Sequence, residues 1–121
     1  MNKRKLGEDK EQLAADYLEA AGYEIIERNF RCRMGEIDLI AKDRDTLVFT
    51  EVKYRVNHKA GLPEEAVDCK KQRTIGKVAL YYLKTRIRRM DAPCRFDVIA
   101  IDGEEIRHHI NAFSYEGAYF G

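Results

Sequence analysis

Apolar residues near the start of the chain recur at Leu13, Ala14, Tyr17, Leu18 and Ala21, which lays one stripe along a helix over residues 7–21. Gly22 then supplies a C-terminal stop. Beyond it the pattern changes period. Tyr23–Asn29, carrying Ile25 and Ile26, reads as a strand, and Glu36–Lys42 and Leu47–Tyr54 read as two more, rich in Ile, Leu, Val and Phe. The polar stretch Asp43-Arg44-Asp45-Thr46 between the last two makes them a hairpin. Residues 57–63, with Gly61 and Pro63, form a loop. A long helix is expected from about Glu64, because Glu64 and Glu65 suit the positive end of its dipole. Its buried stripe is Val67, Ile75, Val78, Ala79, Tyr82 and Leu83, and Asp91-Ala92-Pro93 breaks it. Arg95–Ile101 and Ile106–Ile110, joined by a turn at Asp102-Gly103, complete the chain's strands. The order α-β-β-β-α-β-β describes an α/β or α+β layer around one sheet.

Composition narrows the class without naming a partner. The 121 residues suit one domain spanning 1–121, and 45% apolar content supports a packed core. Net charge is only +1, yet Lys70, Lys71, Arg73, Lys77, Lys84, Arg86, Arg88 and Arg89 crowd one segment, and Lys3, Arg4 and Lys5 open the chain. That distribution neither demands nor excludes nucleic acid. Cys32, Cys69 and Cys94 are odd in number, form no C-x-x-C pair and complete no zinc pattern with the three histidines, so they read as reduced thiols. No stretch resembles a signal peptide or approaches the roughly 18 apolar residues of a membrane span. The chain therefore reads as soluble and cytoplasmic, with no membrane partner.

The chemistry gathers in the hairpin. A turn centred between Arg44 and Asp45 places Asp38 opposite Glu51, and like charges so placed destabilise a strand pair. Lys53 lies two residues beyond Glu51 and shares its face. Two readings fit. In one, Glu51 and Lys53 form a solvated surface pair worth roughly 0–1 kcal/mol. In the other, Asp38 and Glu51 hold a hard divalent cation, which takes oxygen ligands, and Lys53 assists the attack of water on a phosphodiester. Residues 47–52 are mostly apolar on both sides of Glu51, the pattern of a strand covered on two faces, and this counts against the surface reading.

Several blocks together carry a family resemblance over nearly the whole chain. They are Gly7 and Glu11 with Ala14, Tyr17-Leu18 and Gly22-Tyr23; Arg28-Asn29-Phe30; Gly35-Glu36-Ile37-Asp38-Leu39-Ile40; Phe49-Thr50-Glu51-Val52-Lys53 and Arg55; Gly61 with Pro63; Lys71; Arg95-Phe96-Asp97-Val98; and Asn111-Ala112-Phe113. In this order they resemble the YraN-like family of bacterial proteins, which looks like a branch of the PD-(D/E)xK nuclease superfamily. The resemblance implies a restriction-endonuclease-like fold, a central mixed five-stranded sheet flanked by helices, similar in layout to archaeal Holliday-junction resolvases. It implies metal-binding acids at Asp38 and Glu51, a further metal-binding acid from the first helix at Glu11, and a catalytic lysine at Lys53, with Mg²⁺ or Mn²⁺ as cofactor. It also implies DNA, branched DNA included, as substrate, and a two-fold homodimer. The superfamily's proline before the first acid is replaced by Ile37, and Lys10 and Tyr54 depart from residues the family often carries. None of these removes a catalytic group.

Other residues keep two readings each. Glu36 shares a face with Asp38 and is either a site residue or a solvated acid. Arg28, Arg31, Arg33, Arg55, Lys71 and Arg73 either contact phosphates or are ordinary surface charge; Arg28, Arg33, Arg55 and Lys71 are taken as the nucleic-acid contacts. Asp97 is expected to pair with Arg95 or a backbone group, and His108 and His109 to sit at a strand end. Tyr115, Tyr119 and Phe120 either stack on bases or cap the core or a dimer contact. Function is thus expected to be a metal-dependent, structure-specific endonuclease of repair or recombination. The alternatives are a non-cleaving nucleic-acid-binding module, and an interaction protein whose acids bind metal structurally.

Overall fold

The computed structural model describes residues 3–115, with side chains from residue 7 onward. Helix α1 (Lys3–Ala20) leads into strands β1 (Glu24–Cys32), β2 (Gly35–Asp43) and β3 (Thr46–Arg55). A 3-10 turn (Pro63–Ala66) precedes helix α2 (Cys69–Tyr82), which runs on as a π-helical turn (Leu83–Ile87) before β4 (Cys94–Asp102) and β5 (Glu105–Phe113). The five strands lie in the order β1-β2-β3-β4-β5. Only β3 and β4 are parallel, as a crossover through α2 requires; the other pairs are antiparallel. The element order is that expected from the pattern of apolar positions, and the mixed five-stranded sheet is that implied by the resemblance.

Each face of the sheet has its own core. Ala14, Ala15 and Leu18 of α1 bury against Leu39, Ala41, Val48, Val52, Ile99 and Ile101. On the opposite face Ile75, Val78, Ala79 and Tyr82 of α2 bury against Phe30, Ile37, Ile40, Phe49, Phe96 and Val98. Residues 47–52 of β3 are therefore buried throughout, the two-sided cover their composition implied. Truncating a fully buried member such as Ile75 to alanine costs about 2–5 kcal/mol.

The elements depart from expectation at several points, α1 starting at Lys3 and β1 running on to Cys32 among them. The second helix begins at Cys69, where the Asp68 side chain accepts the Lys71 N–H at 2.9 Å. Glu64 and Glu65 sit instead in the 3-10 turn, where Glu65 accepts the Leu62 N–H at 2.9 Å. In α1 the buried face is Ala14, Ala15 and Leu18, while Leu13 and Tyr17 lie exposed. β5 extends to Phe113, through Asn111 and Ala112, which lie exposed on this edge strand. The Gly22 stop holds: at φ +96° it lets the Tyr23 N–H reach back to Leu18 O at 3.0 Å.

Candidate active site

The site begins as a fault in strand alternation. Arg28 points to the α1 side, where it donates to Gln12 Oε1 at 2.6 Å, whereas Phe30 packs under α2 against Tyr82. Residues two apart on a strand should share a face. Asn29 lies between them in a left-handed conformation, φ +51°, which Asn tolerates better than most residues. β2 shows the same slip: Ile37 joins the core under α2 and Leu39 the core under α1, so Asp38 sits at the change of face. The β1–β2 register accordingly runs from Arg28↔Leu39 to Phe30↔Ile37 and omits the Asn29 and Asp38 positions.

On its other edge β2 pairs with β3 in the expected register, from Asp43↔Thr46 to Leu39↔Thr50, and stops there. Asp38 and Glu51 are therefore not ladder partners. Asp38 uses its side chain where a strand would use its carbonyl, with Oδ2 accepting the Val52 N–H at 2.8 Å. Its carboxyl also comes within hydrogen-bonding reach of Glu51.

Burial sharpens the conflict between these two acids. Glu51 is 3% exposed and its Oε2 makes no hydrogen bond. Lys71 Nζ of α2 stands 3.2 Å from that oxygen, close enough to pair electrostatically but at an angle that forms no hydrogen bond. Burial, then the Glu51 carboxyl, pushes Asp38 up to about 8, against the opposing pull of the Val52 N–H and Lys53. Glu11 of α1 is raised too, by burial first and then by Asp38 and Glu36, while a hydrogen bond from Asn29 pulls it back. Glu11, Asp38, Glu51 and Lys53 thus share one electrostatic neighbourhood. Among the described residues no three His, Cys, Asp or Glu side chains converge closely enough to hold a metal ion by themselves. The touching carboxyls are Asp38 and Glu51.

This hairpin lies inside the segment that comparison identifies. Residues 10–101 match the model of the uncharacterised protein family UPF0102. The chain belongs to the UPF0102 family. A UPF0102 protein of Lachnoclostridium phytofermentans is 50% identical over 118 residues, covering 98% of this chain and 100% of the relative. One from Syntrophus aciditrophicus is 56% identical over 98 residues, 80% of this chain and 73% of its own. A third, from Thermodesulfovibrio yellowstonii, is 48% identical over 113 residues, 93% and 99% of the two chains. The YraN-like resemblance therefore stands at the level of the family.

The remaining candidates of this UPF0102 chain fall into three groups. Lys71 enters the site itself. Arg55, at the end of β3, donates Nη1 to Tyr54 O at 2.9 Å and leaves a buried Nε without a partner. Arg28 and Arg33 are exposed on β1 and its following turn. Arg31 instead pairs with Glu36 at 2.7 Å, which holds that acid at the sheet margin. Asp97 is 0% exposed and is held as expected, by Arg95 Nε at 3.0 Å and the Asn111 N–H at 2.9 Å, and also by His108 at 2.8 Å. Burial alone would raise the Asp97 carboxyl, but His108, the Asn111 N–H and Arg95 together hold it below the ordinary range. Tyr115 packs against Gly76 and joins the core under α2, a capping role; Tyr119, Phe120 and the side chains of Lys3, Arg4 and Lys5 lie outside the described residues. No helix among the described residues is long and apolar enough to cross a membrane.

Sequence reasoning passed over Asn29, which both turns the strand and bonds Glu11, and Asp68, which sets the start of α2 and so the place of Lys71. The capping preference of Asp was the available signal for the second. For the first it was only the tolerance of Asn for left-handed backbone.

Proposed function

We propose that this chain is a metal-dependent endonuclease of the PD-(D/E)xK kind that cuts DNA, with a preference for branched or otherwise structured DNA. The supporting observation is the pairing of half-buried Asp38 with buried Glu51, with one Glu51 oxygen making no hydrogen bond and Lys53 two residues along the strand. A buried carboxyl with too few hydrogen-bond donors, set against a half-buried second one, is costly to fold unless something neutralises the pair. A Mg²⁺ or Mn²⁺ ion fits this donor set, since such ions take one or two carboxylates and complete their shell with water and phosphate.

Asp38 and Glu51 would hold the ion, and Glu11 would add negative charge from the α1 side. The ion supplies a lowered water pKa and compensates charge on the scissile phosphate. Lys53 positions the attacking water and stabilises charge that develops on the phosphate. With Glu51 engaged by such an ion, Lys71 would be free to pair with a phosphate. Arg28, Arg33 and Arg55 contact backbone phosphates farther out, and a two-fold pair of chains would present two such sites to a four-way junction.

The test is cleavage in Mn²⁺ of a labelled panel of four-way junction, flap, single strand and duplex, with Glu51→Gln as control. Cuts by the wild type that the control loses establish the activity and its preferred substrate. Among the described residues no three acids close into one group, which favours one second reading, a DNA-binding module that does not cut. Binding without product in any metal would decide for it.

A further inference from the structure

α2, like any helix about 10–12 Å across, cannot cover five strands spaced about 4.7–4.9 Å apart. Its backbone lies nearest β1 and β2, with side chains such as Tyr82 reaching Phe49 of β3, while the 3-10 turn Pro63–Ala66 packs on β3 and β4. What remains is a cavity of about 480 Å³ above β4 and β5, lined by Glu64, Val67, Gln72, Val98, His109 and Phe113 among others.

Its position follows from strand register. Glu51 pairs with Val98, and Val98 with His109, so one row across the sheet runs from the candidate active site into the cavity. Two strand spacings put His109 about 10 Å from Glu51 at the backbone. Gln72, on the roof, directly follows Lys71 in the first turn of α2.

The lining has two characters. Phe113 is stacked on Phe96, with ring centroids 5.0 Å apart and planes 17° from parallel, and with Val67 and Val98 it makes an apolar wall. Opposite stand Gln72, whose amide nitrogen donates to Val67 O at 3.0 Å, and His109, whose Nε2 lies 2.9 Å from Glu64 Oε2. Arg107 grips the Glu64 carboxylate at 2.6 and 2.9 Å, so its charge is compensated. Among the described residues the Gln72 amide oxygen and His109 Nδ1 make no hydrogen bond, which leaves them for a ligand. An uncharged planar ring with a hydrogen-bonding edge meets both walls, and the volume suits a small heterocycle.

We propose that this cavity receives one unpaired nucleobase of the strand whose phosphate lies at Asp38 and Glu51, so that the protein senses lost base pairing beside the cut. The inference rests on the nuclease reading above. A base in duplex must first be extruded to enter, whereas a base at a junction or flap is already free. Stacking and a few amide or imidazole contacts tolerate any base, which gives selection by structure with little sequence preference.

A fluorescent purine analogue placed in turn at each nucleotide around the cut of a flap, with Ca²⁺ in place of Mn²⁺, tests this. The wild type is expected to change the emission at one position beside the cut, and to leave a fully paired duplex unchanged. Ala112→Trp, which fills the cavity from an exposed edge position, is expected to abolish that change and weaken flap binding about ten-fold, with duplex binding intact. If that variant fails to fold, Gln72→Ala and Phe113→Leu serve in its place. DNA binding with no position-specific change, or variants that bind the flap like wild type, overturns the cavity proposal and leaves the nuclease reading standing. No binding to any DNA by a folded wild type removes both.

Discussion

Asp38 Oδ2 takes the Val52 N–H at 2.8 Å, doing with a side chain what the strand ladder stops doing one residue earlier. The same atom group is the proposed metal ligand, so fold and chemistry meet in one carboxyl. Asp38→Ala strands a partly buried N–H and should cost about 1–3 kcal/mol in urea unfolding. Asp38→Asn keeps an acceptor for Val52 and is neutral without taking up a proton, which the wild-type Asp38 must do beside Glu51. It should equal or exceed the wild type in metal-free stability while losing cleavage. An Asp38→Asn protein as unstable as Asp38→Ala would contradict this division of labour.

The raised Asp38 carboxyl makes a signed prediction about pH. In the folded chain it keeps its proton up to about pH 8, against an ordinary value of 3.8. Between those limits the folded state binds more protons than the unfolded state, so the contribution of this group falls as pH rises. The limiting slope is about 1.4 kcal/mol per pH unit. Unfolding measured in chelator should show the wild type losing stability relative to Asp38→Asn from about pH 4 to about pH 8, with no divergence below that window. A difference that grows in the opposite direction would place the proton elsewhere.

Lys71 competes with any cation for Glu51, being 3.2 Å from an oxygen that has no hydrogen bond. Lys71→Met should therefore bind Mn²⁺ several-fold more tightly by calorimetry. It should also bind DNA more weakly, with the salt dependence shallower by about one phosphate contact. Unchanged metal affinity would mean that the lysine is a bystander.

Asn29 can be tested through its backbone alone. At φ +51° a β-branched residue is strained, so Asn29→Val should lose at least about 1–2 kcal/mol in chemical denaturation. Asn29→Gly should remain within about 1 kcal/mol of wild type. Because it deletes the bond that restrains Glu11, it should raise the Glu11 carboxyl further, which is visible in an NMR titration.

Much of this was readable in the residues. The turn at Asp43–Thr46 set a register that Leu39↔Thr50 and Ile40↔Phe49 bear out, and the stripe from Ile75 to Leu83 is the buried face of α2 and its extension. What escaped was geometry carried by single residues in unusual conformations. The first strand is expected to end at Asn29 and the second to alternate through Asp38, where alternation fails, because a periodic pattern contains no warning of a one-residue slip. The acids Glu64 and Glu65 suggested a helix start, but Pro63 opens a 3-10 turn there and the cap belongs to Asp68. The entry of Lys71 into the site depends on that displaced start. No reading of charge alone distinguishes it from Arg73, which lies exposed two residues on.

Asp97 holds more than the interior together. Through the Asn111 N–H it pins a bulge in β5, where the register with β4 shifts and Asn111 adopts φ +55°. β5 is an outermost strand and carries Ile110 at 59% exposure, the kind of surface on which another chain's strand can add itself. The bend makes that edge a poor template. A change that loosens the Arg95–Asp97–His108 cluster should therefore announce itself as stickiness in concentrated solution, before any loss of helix or sheet. Solubility in this protein is guarded from inside its core.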